Sequence, residues 1–364
     1  MTGSRTALIA ALVAVQLTVA GAVLWAMHAS LEGAMIGHAE RLMRRTAGDA
    51  NRFAAAFLRP AAEDAAMLRR MMAAGLAPPS RPDRLAATLH AVLDTRPAYA
   101  GLYHGAPDGD FVYVSRTGEP DAPFSTKIIA VDGLLREMTV TRHGADFAAL
   151  ARETPGDDGF DPRTRPWYVA AREADGTAWT DPYIFFSSRR PGITVSEPAP
   201  DGGAVGIDLE IEAISAFLDD LDLTEWGSVA ILSREGRVIA HRDALALRVV
   251  EADGTGRFAA LSEMPDMPLR EAVAALPGGL ETVTEADRPL LRYGVDGEAW
   301  LAVFEPLEGG RAPWIVVSYL PESDFLGALG AARGRALAIA GALAALSAVA
   351  GWLIAGRLAR RAAQ

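Results

Sequence analysis

Two apolar runs near the ends of the chain constrain its architecture more than any other feature. Ala7–Met27 is interrupted only by Gln16 and Thr18, and Ala336–Ala355 only by Ser347. Each holds about 20 residues, which at about 1.5 Å per residue crosses a hydrocarbon layer of roughly 30 Å. The first run exceeds the roughly 7–15-residue apolar core of a cleaved signal peptide. Its flank, Ala26–Met27–His28–Ala29, is also a poor small-x-small cleavage site. The second run leads into Arg357, Arg360 and Arg361, a basic flank that favours a span over a buried core helix. Two spans, at 7–27 and 336–355, put both termini on one side of a membrane and residues 28–335 on the other. Arginines crowd both sides (Arg5 and Arg357 on one, Arg41, Arg44, Arg45, Arg333 and Arg335 on the other), so charge bias does not orient the chain.

Composition narrows the classes that remain. Of the 364 residues, 50% are hydrophobic, enough for a real core, which excludes wholesale disorder. A net charge of −11 argues against a nucleic-acid partner, which needs a basic face to neutralise phosphates. No cysteine is present, so disulfides, thiolate metal sites and a cysteine nucleophile are excluded. The mean hydropathy of +0.14 is raised by the two runs, so the stretch between them is more polar than the average. Six histidines are scattered without paired-ligand spacing, and no G-x-S-x-G, P-loop or G-x-G-x-x-G occurs. Neither a catalytic constellation nor a metal or cofactor is expected.

Between the runs, Ser30–Gly75 reads as a long helix, with Leu31, Met35, Leu42, Phe53, Phe57 and Leu58 near helical spacing. Pro78–Pro82 is a turn and Asp83–Leu93 a short helix. The period then changes. Tyr99–His104 and Phe111–Ser115 flank Pro107–Asp108–Gly109–Asp110, a hairpin signal. Ser228–Leu232 and Arg237–His241 repeat that form around Arg234–Glu235–Gly236. Further strands are expected at Leu290–Tyr293, Trp300–Phe304 and Trp314–Tyr319, followed by a helix capped by Ser323. Two similar hairpins far apart predict two related modules in tandem.

The most informative stretch is Phe160–Asp208. It holds Asp161–Pro162–Arg163–Thr164–Arg165–Pro166–Trp167–Tyr168, then Trp179–Thr180–Asp181–Pro182–Tyr183, Ile193–Thr194–Val195–Ser196 and Gly206–Ile207–Asp208. Arg165 offers a planar fork for a carboxylate, Trp167 and Tyr168 aromatic walls with polar handles, and Asp208 an acceptor for an ammonium. Such a group cradles a small polar ligand in an apolar pocket. The structural alternative is that Arg163 and Arg165 pair with Asp161 or Asp181 and lock a turn.

The order of these motifs resembles the double Cache sensor domain of bacterial chemoreceptors, sensor histidine kinases and nucleotide cyclases, over residues 30–325. The resemblance implies an α+β fold: a stalk helix at 28–76, a membrane-distal PAS-like module at 77–222 and a membrane-proximal one at 223–325, flanked by two transmembrane helices. It also implies a periplasmic sensor domain on the bacterial inner membrane, short cytoplasmic ends at 1–6 and 356–364, and a homodimer through the stalk. Arg165, Trp167, Tyr168 and Asp208 match the ligand-binding pattern of the amino-acid-binding branch, and Tyr183 joins them as a ligand-binding candidate. Two positions depart from it. Phe160 stands where a tyrosine is expected and Phe185 where an aspartate is expected, which strips polar groups from the amine side. A carboxylate or other small organic molecule is then as good a ligand as an α-amino acid. Only three residues follow Arg361, so the expected output lies on a continuation of the chain or on a separate cytoplasmic partner. Two other readings stay open: a membrane-tethered structural or assembly partner with no ligand, and a membrane-bound enzyme. A buried cavity lined by Arg165, Trp167, Tyr168 and Asp208 separates sensing from the structural role.

Overall fold

The computed structural model describes residues 2–325, apart from 134, 175, 222, 251–255 and 308–313, and scattered positions between 338 and 353. The first element, α1 (Thr2–Ala73), is a single helix of 72 residues that carries Pro60 within it. From Ala39 to Met72 its buried positions recur every three or four residues. Half of them are alanine, among them Ala47, Ala50, Ala54, Ala61 and Ala65. Small side chains on that stripe let the helix lie close against the sheets it covers. Then α2 (Pro82–Asp94) starts on a proline and buries Leu85, Leu89 and Leu93.

Next come β1 (Tyr99–Gly105), β2 (Phe111–Arg116), β3 (Phe124–Asp132), β4 (Leu135–His143), β5 (Ala149–Glu153), α3 (Pro166–Glu173), β6 (Ala178–Trp179), β7 (Tyr183–Ile184), β8 (Pro191–Pro198) and β9 (Ala204–Glu210). The nine strands form one sheet in the order β5-β4-β3-β2-β1-β9-β8-β6, with β7 also paired to β8. Every pairing in it is antiparallel. After α4 (Glu212–Asp219) come β10 (Ser228–Ser233), β11 (Val238–His241), β12 (Arg248–Val250), β13 (Gly256–Phe258), α5 (Met267–Ala274), β14 (Leu290–Val295), β15 (Glu298–Pro306) and β16 (Trp314–Pro321). A second sheet runs β11-β10-β16-β15-β14, and β12 and β13 pair by themselves.

The long helix ties both sheets together. On the first, buried Asp64 accepts from the Tyr99 hydroxyl and from Arg96, each at 2.8 Å. On the second, Asn51 donates to the Pro306 carbonyl at 2.8 Å, and Ser318 donates to the Met43 carbonyl at 3.2 Å. One cluster of buried apolar side chains runs from α1 through both sheets. The sheets also meet directly, where Trp179 and Trp314 pack edge to face at 5.6 Å and Arg237 pairs with Asp181 at 2.8 Å.

Both predicted hairpins and all three later strands are present. The β3–β4 hairpin and β5 have no counterpart in the sequence reading. All of β5 and several positions of β4 face solvent, so no apolar alternation marks them. Ser323 opens a helical turn and its hydroxyl donates to Glu298, while the continuation of the expected helix at 326–337 lies outside the described residues. Among the described residues, no helix is long and apolar enough to cross a membrane. Parts of the run at 336–355, and the tail at 356–364, lie outside the described residues, as do many side chains of 7–27.

Candidate ligand-binding cavity

The informative stretch folds around its first aspartate. Asp161 accepts from the Arg163 backbone N–H at 3.0 Å and clamps the Arg163 guanidinium with both oxygens, at 2.9 and 2.8 Å. This closes a short turn, and Pro166 then opens α3, which buries Trp167 and Tyr168. Asp181 is taken by Arg237. Arg165 is therefore left out of the turn. Among the described residues its guanidinium makes no ion pair; it lies over the rings of Phe160 and Phe186, at 5.7 and 5.6 Å from their centroids.

Opposite it, β9 brings in Asp208, which is only 5% exposed. Its Oδ1 accepts from the Tyr103 hydroxyl at 2.5 Å and the Thr194 hydroxyl at 2.6 Å. Thr194 stands beside Asp208 in the β8–β9 register, and its oxygen also meets the Tyr183 hydroxyl at 2.7 Å. Burial pushes the Asp208 carboxyl up to about 7, against the lowering pull of the two hydroxyls and of the Arg165 charge. Tyr103 reaches the carboxylate because its cross-strand partner is Gly206, where a Cβ would stand 2.2 Å from the ring.

Arg165, Trp167, Tyr183 and Asp208 line one cavity together with Tyr103, Tyr113, Ser187 and the phenylalanines 111, 160, 185 and 186. It measures about 30 Å³. Four of the five predicted site residues thus meet there. Tyr168 does not join them. It packs edge to face on Trp167 at 5.6 Å, and burial raises the pKa of its hydroxyl against the lowering pull of Arg172. His104, at the end of β1, lines a separate space of about 440 Å³ and faces Asp201 at 3.1 Å.

The amine side is not stripped of polar groups. Phe185 is buried where Gly192 makes room for it (a Cβ there would be 2.0 Å from the ring), but Tyr103 and Thr194 supply hydroxyls to Asp208. Sequence reasoning assigned neither residue a role. Thr194 was visible within the Ile193–Ser196 string, whereas Tyr103 carries no local signal. Lys127 also reaches the Phe160 ring, at 4.8 Å, but its charge is paired with Asp158. The cavity therefore presents one unpaired cation and one buried carboxylate between aromatic walls, an arrangement suited to holding a small charged molecule. Among the described residues, no group of three or more acidic or histidine side chains could hold a metal ion.

No protein-family model matches the chain. Over 104 residues it is 34% identical to the methyl-accepting chemotaxis protein PscA of Pseudomonas syringae pv. tomato, a match covering 28% of this chain and 16% of the relative. The methyl-accepting chemotaxis protein PctB of Pseudomonas aeruginosa matches with the same identity and coverage. Adenylate cyclase 1 of Rhizobium meliloti is 27% identical over 289 residues, 73% of this chain and 41% of the relative. The chain thus spans less than half the length of each of these relatives. Among solved structures, the ligand-binding domain of the Pseudomonas fluorescens chemoreceptor CtaA, in complex with L-isoleucine, aligns at TM-score 0.49 and 18% identity, covering 83% of this chain and 98% of that one. The sequence matches fall on bacterial chemotaxis receptors and one adenylate cyclase, both among the classes to which the motif order points. These matches are consistent with a sensor domain of the double Cache kind.

Proposed function

We propose that the protein is a membrane-anchored, extracytoplasmic sensor of a small organic molecule carrying a carboxylate. The observation that carries this reading is the pairing of opposite charges across one aromatic cavity: the Arg165 guanidinium without an ion pair and the buried Asp208 carboxylate. A carboxylate on Arg165 gains charge-assisted hydrogen bonds in a desolvated setting, and an amino group finds its acceptor in Asp208. The α-amino acid reading therefore regains the support that Phe160 and Phe185 took from it. At about 30 Å³ the free space is smaller than an amino acid, so binding requires side chains that line it to shift.

The same reading places spans at 7–27 and 336–355, with the distal module at 77–222 in the periplasm and the proximal module at 223–325 beneath it. Val15, Val19, Val23 and Trp25 on α1, and Ile339, Leu343, Leu346 and Trp352 near the far end, expose their side chains, which suits contact with lipid. Ligand occupancy then passes through the second run to a signalling output, as part of a non-enzymatic receptor. A homodimer through α1 leaves the face bearing Ala56, Arg59 and Glu63 for the partner copy, since these residues are exposed while the alanine stripe is buried. Oxidation of an Ala56→Cys variant tests the dimer without background thiols.

Calorimetry of the full chain in lipid nanodiscs against amino acids and organic acids tests the sensor itself. Binding is expected for carboxylates, lost on Arg165→Ala and weakened on Asp208→Ala. Binding that ignores both substitutions would place the ligand elsewhere and overturn the reading.

A further inference from the structure

The hairpin between β7 and β8 closes the cavity with a tip that carries a second cation. Phe185 N–H donates to the Arg190 carbonyl at 2.9 Å, and Arg189 N–H to the Phe185 carbonyl at 3.0 Å. The tip thus presents Phe186 inward, with Arg189 at a positive φ of 58°. The Arg189 guanidinium lies 5.4 Å from the Phe186 ring centroid, and Arg165 lies 5.6 Å from the same centroid. Most cations nearby are already neutralised: Lys127 by Asp158, Arg163 by Asp161 and Arg190 by Glu210. Arg165 and Arg189 have no ion pair among the described residues. Both guanidinium groups lie near the one ring, Arg165 at the cavity and Arg189 exposed on the hairpin tip.

Building on the carboxylate reading above, we propose that the ligand is an acidic α-amino acid, and that Arg189 selects it by taking the side-chain carboxylate. The charge balance leads to this class. Arg165, Arg189 and ionised Asp208 together carry one net positive charge, and an acidic amino acid carries one net negative charge, distributed as two anions and one cation. Asp208 receives both of its hydroxyl donors on Oδ1, and no hydrogen bond among the described residues reaches Oδ2, which is left for the ammonium. A plain dicarboxylate brings two anions beside Asp208 and no cation to face it. A neutral amino acid leaves Arg189 unpaired. Phe186 and Arg189 share the hairpin tip, so a ligand that displaces the ring meets the Arg189 guanidinium beside it.

The test is titration calorimetry of the full chain in lipid nanodiscs with L-aspartate, L-glutamate, L-alanine and succinate. An acidic amino acid should bind at least about tenfold tighter than L-alanine and than succinate. That ratio to L-alanine should collapse towards one in Arg189→Gln and be partly restored in Arg189→Lys. L-alanine binding as tightly as the acidic pair, or a ratio unmoved in Arg189→Gln, overturns selection by Arg189 while leaving the carboxylate site intact. Succinate binding tightest overturns the amino-acid assignment. Failure of all four ligands to bind overturns both this inference and the site reading on which it rests.

Discussion

The hydroxyl of Tyr103 donates to Oδ1 of Asp208 at 2.5 Å across the β1–β9 pairing, inside the nine-stranded sheet and at the wall of the cavity. The Thr194 hydroxyl meets the same oxygen at 2.6 Å. Two donors on one buried carboxylate hold it in a fixed orientation while leaving its second oxygen for another group. They offset only part of the cost of burying the charge, because the carboxyl still titrates near 7.

That raised value makes stability depend on pH. In the unfolded chain an aspartate ionises near pH 4, whereas folded Asp208 holds its proton up to about 7. No penalty acts below pH 4. The folded state loses stability as pH rises from about 4 to 7, by up to roughly 4 kcal/mol, and the loss levels off above. Asp208→Asn removes this dependence. Its melting temperature should sit close to that of the wild type at pH 4 and above it at pH 8. A difference between the two that does not change with pH would refute the assignment.

Gly206→Ala should break the link between Tyr103 and Asp208. The added Cβ would lie 2.2 Å from the Tyr103 ring, so the ring has to move away from the carboxylate. Overpacking of this kind costs about 1–3 kcal/mol, with the lost hydrogen bond in addition. Denaturant unfolding measures the sum. A loss below 0.5 kcal/mol, on the order of an exposed surface substitution, would mean that the ring has another place to go.

Asp64 fastens the long helix to the first sheet. Asp64→Ala leaves the Tyr99 hydroxyl without its acceptor on a side chain that is 2% exposed, at a cost of roughly 1–3 kcal/mol. Arg96 is nearly half exposed and adds little. Asp64→Asn keeps an acceptor for Tyr99 and should cost less. Equal losses in the two variants would shift the weight from the hydrogen bond to the charge.

The contact between the two sheets should depend on its tryptophans rather than its ion pair. Arg237 and Asp181 are well exposed, so Arg237→Ala is expected to cost less than about 1 kcal/mol. Trp314 is 2% exposed and packs on Trp179, so Trp314→Ala should cost about 3–5 kcal/mol. Near-infrared or fluorescence melts of both variants at two salt concentrations distinguish them, because only the ion pair responds to salt.

Much of the fold was legible because its signals are local. The two hairpins are marked by Asp–Gly and Glu–Gly turns, where glycine accepts a positive φ at Gly109 and Gly236. The helix of α2 is announced by proline at its start and apolar spacing along its length. The β3–β4 hairpin escaped because much of it faces solvent, and hydrophobic pattern records only burial.

By itself the sequence determined the two terminal apolar runs, the change from helical to strand period, the absence of thiol chemistry and the residue types of the site. It could not decide which arginine was structural. Arg163 and Arg165 stand two apart in the same motif, each with Asp161 and Asp181 as available partners. Only the folded chain shows that Asp161 closes its turn on Arg163, that Asp181 is taken by Arg237 from the other sheet, and that Arg165 is left facing the cavity. Tyr103 and Asp208 are likewise unrelated along the chain and meet because β1 and β9 pair. Charge pairing and desolvation depend on distance in space, and strand pairing sets those distances between residues whose separation in sequence carries no trace of them.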